Sequence, residues 1–244
     1  MWQCALRTEM PDSLSPAAEL ARAASRPYPN EPEGYRAARE ALLAEEIALR
    51  RRLARVAAQR SALPLGGEVP EDYEFEGPDG GRIRLSEMFG PHDTLVTYFW
   101  MYGPQRERPC PMCTNLLGPL DANAPDIERN CALAVIALSP VARQLEFAIE
   151  RGWRHLKLHC SAGNRFADDY RGLMPDGVTD TAALNVFVRR DGRVFHFWGG
   201  EMGFETADPG QDPRGAPDLA PLWNILDLTP AGRRPDWYPE LDYD

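Results

Sequence analysis

Hydrophobic and polar positions recur with two different periods along this chain, and the changes of period mark its elements. Between Glu33 and about Ser61, residues Tyr35, Ala38, Leu42, Leu43, Ile47, Leu49, Leu53 and Val56 return mostly at helical spacing, with Arg and Glu between them. That pattern predicts one long amphipathic helix, ended by Pro64 and the Gly66-Gly67 pair. Its apolar stripe must cover either the adjoining domain or a second copy of the chain. The stretch before it, 1–32, is rich in Ala, Ser and Pro without a sustained pattern and reads as a loosely held arm.

Beyond residue 70 the period shortens. Tyr73-Glu74-Phe75-Glu76 and Arg82-Ile83-Arg84-Leu85 alternate around Gly77 to Gly81, which predicts a hairpin. Ser86 to Phe89 suggests a helical turn, and Thr94 to Trp100 an apolar, β-rich central strand. A loop, Tyr102 to Pro109, leads into a helix to about Arg129 that Gly118-Pro119 should kink. Leu133 to Ser139 follows as a second buried strand. Pro140 to Gly152 follows as a helix with Val141, Leu145, Ala148 and Ile149 on one face. Strand, helix, strand, helix at this spacing describes a right-handed βαβ unit. Leu156 to Cys160 is expected as a short edge strand and Arg165 to Tyr170 as a short helix. Ala183 to Arg189 and Arg193 to Trp198 flank the hairpin signal Arg190-Asp191-Gly192. The tail past Gly199 is loop-like and expected to wrap the surface, anchored by Leu222 to Leu228.

Composition narrows the function. Hydrophobic residues make up 43% and charged residues 26% of the 244, so the chain as a whole folds rather than staying disordered. A net charge of -10 argues against nucleic acid and anionic lipid as partners, because no basic surface is left to meet phosphates. No run approaches the ~20 apolar residues of a membrane span. Met1 to Pro29 carries Glu9, Asp12 and Glu19 and lacks the continuous apolar core of a secretory signal. Five cysteines, three of them scattered (Cys4, Cys131, Cys160), are no secreted disulfide framework. A reducing cytoplasm is the expected compartment.

The remaining two cysteines form Cys110-Pro111-Met112-Cys113. Random placement of five cysteines yields roughly 0.08 pairs at this spacing. The motif also follows a buried strand and opens a helix within a βαβ pattern, the setting in which a C-x-x-C reads as a redox pair of a thioredoxin-like fold. At a helix N-terminus Cys110 would meet unpaired N–H groups and the positive end of the dipole, and Arg106 and Arg108 lie close upstream. Pro111 loses no needed donor in the first turn. Cys113, one turn further in, can attack a mixed disulfide at Cys110. Cys110 is the candidate nucleophile and Cys113 the resolving thiol.

Other readings stay open. Half a zinc site would need partners among Cys131, Cys160, His155 and His159, which form no second knuckle; the expectation is no metal and no bound cofactor. Trp100, Tyr102 and Trp198 offer an aromatic wall beside Cys110, against the commoner fate of aromatics as core. Trp100, Tyr102 and Arg106 are carried forward as candidate substrate-binding residues, the substrate being an unidentified thiol or disulfide, protein or small molecule. His196 is expected to be packed or solvated, Asp168, Asp169 and Asp176 to serve solvation and capping, and Cys131 and Cys160 to be buried single thiols.

Several stretches together resemble one family. They are Tyr73 to Gly80, Tyr98-Phe99-Trp100-Met101-Tyr102-Gly103-Pro104 leading to the CxxC, Gly152-Trp153, Asn164 to Tyr170, Val194-Phe195-His196 and Leu226-Asp227-Leu228-Thr229-Pro230. From about Tyr35 to Asp242 the chain resembles the bacterial DUF899 family of thioredoxin-like proteins. The resemblance implies the fold and a CxxC at the usual thioredoxin position, with little about substrate. Set against thioredoxins proper, Pro119 falls near the usual bend of the active-site helix. The stretch before the last hairpin, Thr181-Ala182-Ala183-Leu184-Asn185, lacks their cis-proline. The peroxiredoxin pattern is missing as well, since Gln105 to Pro109 offers no hydroxyl before Cys110. The expectation is therefore an α/β, thioredoxin-like domain over 65–244, a helical extension over 33–64 and an arm over 1–32. Its expected chemistry is thiol–disulfide exchange, with a non-catalytic binding or assembly role as the alternative.

Overall fold

Alanine, leucine, arginine and glutamate fill the segment after Pro32, all good helix formers, and they build α2 over Glu33–Ser61. It closes where the Ala62 N–H reaches back to the Ala58 and Gln59 carbonyls at 3.1 and 3.2 Å, just before Pro64. The computed structural model describes residues 14–200, 208–209, 219–234 and 236–243. It divides the chain into two compact units, Met1–Leu63 and Pro64–Asp244. Within the stretch expected as an arm, Ala17–Ala24 is helical (α1). The alanines that looked featureless as a hydrophobic pattern are the strongest helix formers available. Helix α1 runs antiparallel to α2: Arg36 of α2 bonds the Ser25 hydroxyl and the Arg26 carbonyl, and Arg51 donates to the Ser15 carbonyl. Ala21 and Ile47 are buried.

The second unit is a seven-stranded sheet. In chain order its elements are β1 (Glu74–Glu76), β2 (Arg82–Arg84), α3 (Leu85–Met88), β3 (Thr94–Phe99), α4 (Pro111–Ile127), β4 (Ala132–Ala137), α5 (Val141–Arg151), β5 (Leu158–Cys160), α6 (Phe166–Asp169), β6 (Ala183–Arg190), β7 (Arg193–Gly200) and α7 (Pro221–Leu226). The strands lie in the order β2-β1-β5-β4-β3-β6-β7. Strand β3 runs parallel to β4, with Leu95 opposite Ala132 and Phe99 opposite Ile136, and β4 runs parallel to β5. Strand β6 is antiparallel to β3, and β7 to β6. A parallel βαβ unit joined to an antiparallel hairpin, in the spatial order β4-β3-β6-β7, is the thioredoxin-like arrangement. The Asp191-Gly192 turn closes that hairpin with φ of 52° and 75°, the positive pair that a tight two-residue loop requires.

Strand alternation splits the core in two. On one face Leu95, Phe99 and Phe187 pack with Tyr73, Phe75 and Phe166. On the other, Tyr98, Trp100 and Val135 meet Leu117 of α4 and Phe147 of α5. Both crossover helices therefore cover the same face, as crossovers of one hand stepping in one direction must.

Three expectations change. Strand β5 is internal, because β1 pairs antiparallel with it at Glu76 and Cys160 and extends the sheet. On α5 the buried positions are Val141, Gln144, Phe147 and Ala148, while Leu145 and Ile149 face solvent; the stripe is centred on the aromatic, not on the aliphatics. In the tail, Ile225 and Leu228 are exposed, and Ala220 and Leu241 make the packed contacts with the α4–α5 side of the core. The tail segments 201–207 and 210–218, part of the expected wrap, lie outside the described residues. The free edge of β7 is covered by the strand-like segment 66–69: the Gly66 and Val69 N–H groups donate to the His196 and Val194 carbonyls, and His196 donates to Gly67. A Cβ on Gly66 would stand 2.4 Å from the His196 carbonyl oxygen, so that close pairing needs glycine. Among the described residues no helix is long and apolar enough to cross a membrane.

Candidate active site: the Cys110–Cys113 pair

Strand β3 delivers the chain to the site. After Phe99, the Trp100 N–H still pairs with the Ile136 carbonyl at 2.7 Å, and a loop then leaves the sheet and returns. The return is fixed where the Cys110 N–H donates to the Met101 carbonyl at 3.0 Å. Cys110 is the N-cap of α4, Pro111 fills the first helical position, and the Cys110 carbonyl accepts both the N–H and the hydroxyl of Thr114. The proline costs nothing there, since the first-turn N–H groups have no partner within the helix. The next turn carries Cys113 inward. Cys110 is half-buried and Cys113 buried, and neither is in a disulfide.

The two sulfurs are electrostatically distinct. The hydrogen bond from Cys113 pulls the Cys110 thiol down to about 6, helped by the Cys113 and Met112 backbone N–H groups and by the charge of Arg106, and opposed by burial. The same hydrogen bond and burial push Cys113 well up, eased by donors from Tyr98 and the Met101 backbone. Cys110 thus holds the negative charge of the pair and Cys113 the proton. Tyr98 lies beneath them: it is buried on β3, its hydroxyl bonds the Cys113 sulfur, and burial together with both cysteines keeps it protonated.

The loop between β3 and α4 is clamped from two sides. Asp180, just before β6, is buried and accepts from the Gly103 N–H at 2.8 Å and the Arg106 Nε at 2.7 Å. From α5, Arg143 stacks over the Tyr102 ring at 4.5 Å and donates to the Arg106 and Glu107 carbonyls. Between the clamped loops lies a cleft of about 280 Å³, lined by Pro104, Gln105, Arg106, Leu138, Val178 and Thr179 among others.

Not every predicted site residue reaches this surface. Trp100 is 0% exposed and Tyr102 5%; both pack with Phe147 in the core. The aromatic wall is therefore the floor beneath the site, because strand alternation turns Trp100 under the helix rather than towards solvent. Trp198 also packs against that core. Arg106 does lie beside Cys110. Arg108 instead pairs with Glu150 at 2.6 Å and Asp242 at 3.4 Å, which spends its charge elsewhere. Tyr98, Arg143 and Asp180 were not singled out by sequence. Tyr98 was within reach, since period-two alternation puts it on the face of Trp100, under the helix that the CxxC opens. Asp180 and Arg143 carry no such signal, being 74 and 37 residues from Arg106 along the chain.

The remaining candidates lie elsewhere. His196 bonds the Asn185 side chain at 3.0 Å and stacks on Tyr170, on the sheet face opposite Cys113. His159 is buried, which lowers its imidazole to about 4, and the exposed His155 gives its backbone N–H to Asp121. Burial raises the thiols of both Cys131, which is half-buried, and Cys160. Asp176 caps the turn at Val178 and Thr179, and Asp169 accepts from the Tyr73 hydroxyl at 2.5 Å. Cys4 lies outside the described residues. Among the described residues no group of three or more His, Cys, Asp or Glu is placed to hold a metal ion.

Comparison with known proteins yields no match among curated ones. Among solved structures, Xanthomonas campestris peroxiredoxin Q is similar at 13% identity, covering 57% of this chain and 84% of that one, with a TM-score of 0.44. Peroxidoxin BcpB of Mycobacterium tuberculosis is similar at 21% identity, over 54% and 82% of the two chains, with a TM-score of 0.40. An exposed lipoprotein thioredoxin of Streptococcus pneumoniae is similar at 16% identity, over 65% and 100%, with a TM-score of 0.40. The family described as a bacterial protein of unknown function, DUF899, matches residues 25–244. The match takes in both the CxxC loop and the strands and helices that hold it, and the chain belongs to the DUF899 family.

Proposed function

We propose that this protein is a thiol–disulfide oxidoreductase that cycles Cys110 and Cys113 between dithiol and disulfide in a reducing compartment. The observation that carries the reading is the division of labour between the sulfurs: a half-exposed thiol held near a pKa of 6 beside a buried one held protonated. The Cys110 thiolate attacks one sulfur of a substrate disulfide, forms a mixed disulfide and releases the other half as a thiolate. Cys113 then gives up its proton and attacks the Cys110 sulfur. The internal disulfide forms, the second substrate thiolate leaves, and two electrons have passed to the substrate. An external thiol reductant returns the pair to the dithiol. Arg106 and the cleft beside it receive the substrate, with Trp100 and Tyr102 supporting the surface from below.

The test is equilibration of the full-length protein in glutathione buffers, with the free thiols then alkylated and weighed. A single two-electron transition joining Cys110 to Cys113 is expected between about −270 and −120 mV, the span of known CxxC oxidoreductases. Failure of the two cysteines to pair at any poise overturns the reading.

Tyr98 has a defined place in this cycle. Its hydroxyl bonds the Cys113 sulfur and stabilises the thiolate needed for the second step. A hydrogen bond to a charged group contributes about 1.5–3 kcal/mol. Tyr98→Phe is therefore expected to slow resolution of the mixed disulfide roughly tenfold or more, leaving the first attack by Cys110 unchanged. Stopped-flow kinetics, which separates the two phases, reads this directly.

A further inference from the structure

On α2 the side facing α1 is closed: Arg36, Leu43 and Arg51 are half-buried there and Ile47 is buried. The opposite side is apolar and open. Tyr35, Leu42, Leu49 and Val56 stand seven residues apart and are 47%, 54%, 59% and 36% exposed. A strict seven-residue repeat keeps one line of side chains facing a partner helix over its whole length. Charge supplies the partner's identity and direction. Beside the stripe, the N-terminal half of α2 carries Glu45 and Glu46, the latter paired with Arg39 of the same helix at 3.0 Å, and the C-terminal half carries Arg52 and Arg55 and no acidic residue. Two parallel copies would set arginines against arginines, whereas two antiparallel copies set each arginine cluster against the other chain's glutamates.

We propose that α2 is a dimerisation helix, pairing antiparallel with α2 of a second copy of this chain along Tyr35, Leu42, Leu49 and Val56. Leu49 lies near the two-fold axis, and Leu42 of one chain faces the Arg52–Val56 region of the other. The pairing is independent of the chemistry at Cys110, so either can fail alone.

Sedimentation equilibrium of the full-length protein is expected to give the mass of two chains at micromolar concentration, and Leu42→Glu with Leu49→Glu the mass of one. Circular dichroism of that variant should keep the wild-type helix content, which shows that α1 and α2 are folded. Should it fail to fold, a charge exchange serves instead. A chain with Arg52 and Arg55 changed to Glu, and another with Glu45 and Glu46 changed to Arg, should each be monomeric alone and dimeric when mixed. Direction is read by disulfide cross-linking with Cys4, Cys110 and Cys113 replaced by Ser. Leu49→Cys should cross-link to itself, whereas Leu42→Cys should not. A monomeric wild type, as would follow if the chain's own domain covers the stripe, overturns the proposal. So does a dimer that survives the glutamates, or a Leu42→Cys cross-link.

Discussion

Replacing Cys110 by serine is expected to abolish disulfide exchange, a loss of at least roughly a thousandfold, because a serine hydroxyl neither ionises near neutrality nor forms a disulfide. Cys113→Ser should lose turnover just as fully, with a different signature. The introduced serine hydroxyl can still donate to the Cys110 sulfur in place of the Cys113 thiol, the largest cause of its lowered pKa, and the α4 N-terminus and Arg106 are unchanged, so the first attack proceeds. Nothing then resolves the product, and one equivalent of substrate stays attached as a mixed disulfide. Incubation with a model disulfide followed by mass measurement separates the variants: no adduct for Cys110→Ser, a stable adduct for Cys113→Ser. Equal adducts in both would mean that another cysteine is attacking. The same pair separates an oxidoreductase from a non-catalytic binding protein, for which Cys110→Ser would leave partner capture intact.

The largest expected effect on stability belongs to Asp121. Its carboxylate, 7% exposed on α4, accepts the backbone N–H groups of Arg154, His155 and Leu156 at 2.8–3.1 Å. These three donors belong to the connection from α5 to β5, where Gly152 turns the chain with φ of 73°. The same connection carries Trp153, whose ring packs 5.5 Å from that of Trp100 under the candidate site. Asp121→Ala strands the donors. With charged hydrogen bonds contributing about 1.5–3 kcal/mol each and water recovering part of the loss, the expected cost is roughly 3–5 kcal/mol. Urea unfolding followed by tryptophan fluorescence measures it, and Asp121→Asn, which keeps one acceptor oxygen, should fall between. A change below about 1 kcal/mol would mean that these bonds do not hold the connection.

How much of this was legible in the sequence follows from the range of each cause. The span of α2, the hairpin turn at Asp191-Gly192 and the N-cap position of Cys110 are local, set by periodicity, turn chemistry and a proline in the first helical turn. They could be read directly. The short helix α1 was missed because alanine favours a helix without marking an apolar face. The internal place of β5 was missed because only pairing with β1, more than eighty residues earlier, gives it a second neighbour. At the site, the two thiols and Arg106 were legible as a motif. Trp100 and Tyr102 lie beneath the thiols rather than beside them: alternation sets the face of Trp100, but how completely α4 and α5 cover that face is a long-range matter that the strand itself does not show. Asp180, Arg143 and Asp121 act through long-range contacts to backbone groups, which leave no trace in the spacing of residues.

The central claim is that the fold makes a thiolate of Cys110 and withholds one from Cys113, and a pH series of alkylation tests it most directly. The reduced protein would be pulsed with iodoacetamide between pH 4.5 and 9 and the rate at each cysteine followed by peptide mass. Cys110 is expected to label with a midpoint near pH 6, protonated and slow below it, ionised and at its plateau above it. Because a lower pKa also makes a weaker nucleophile, its advantage over an unperturbed thiol should be roughly twentyfold at pH 5 and only about twofold at pH 7. Cys113 should stay unlabelled throughout that range. A Cys110 that titrates like an ordinary thiol, or labels no faster than Cys131 at pH 5, would contradict the claim.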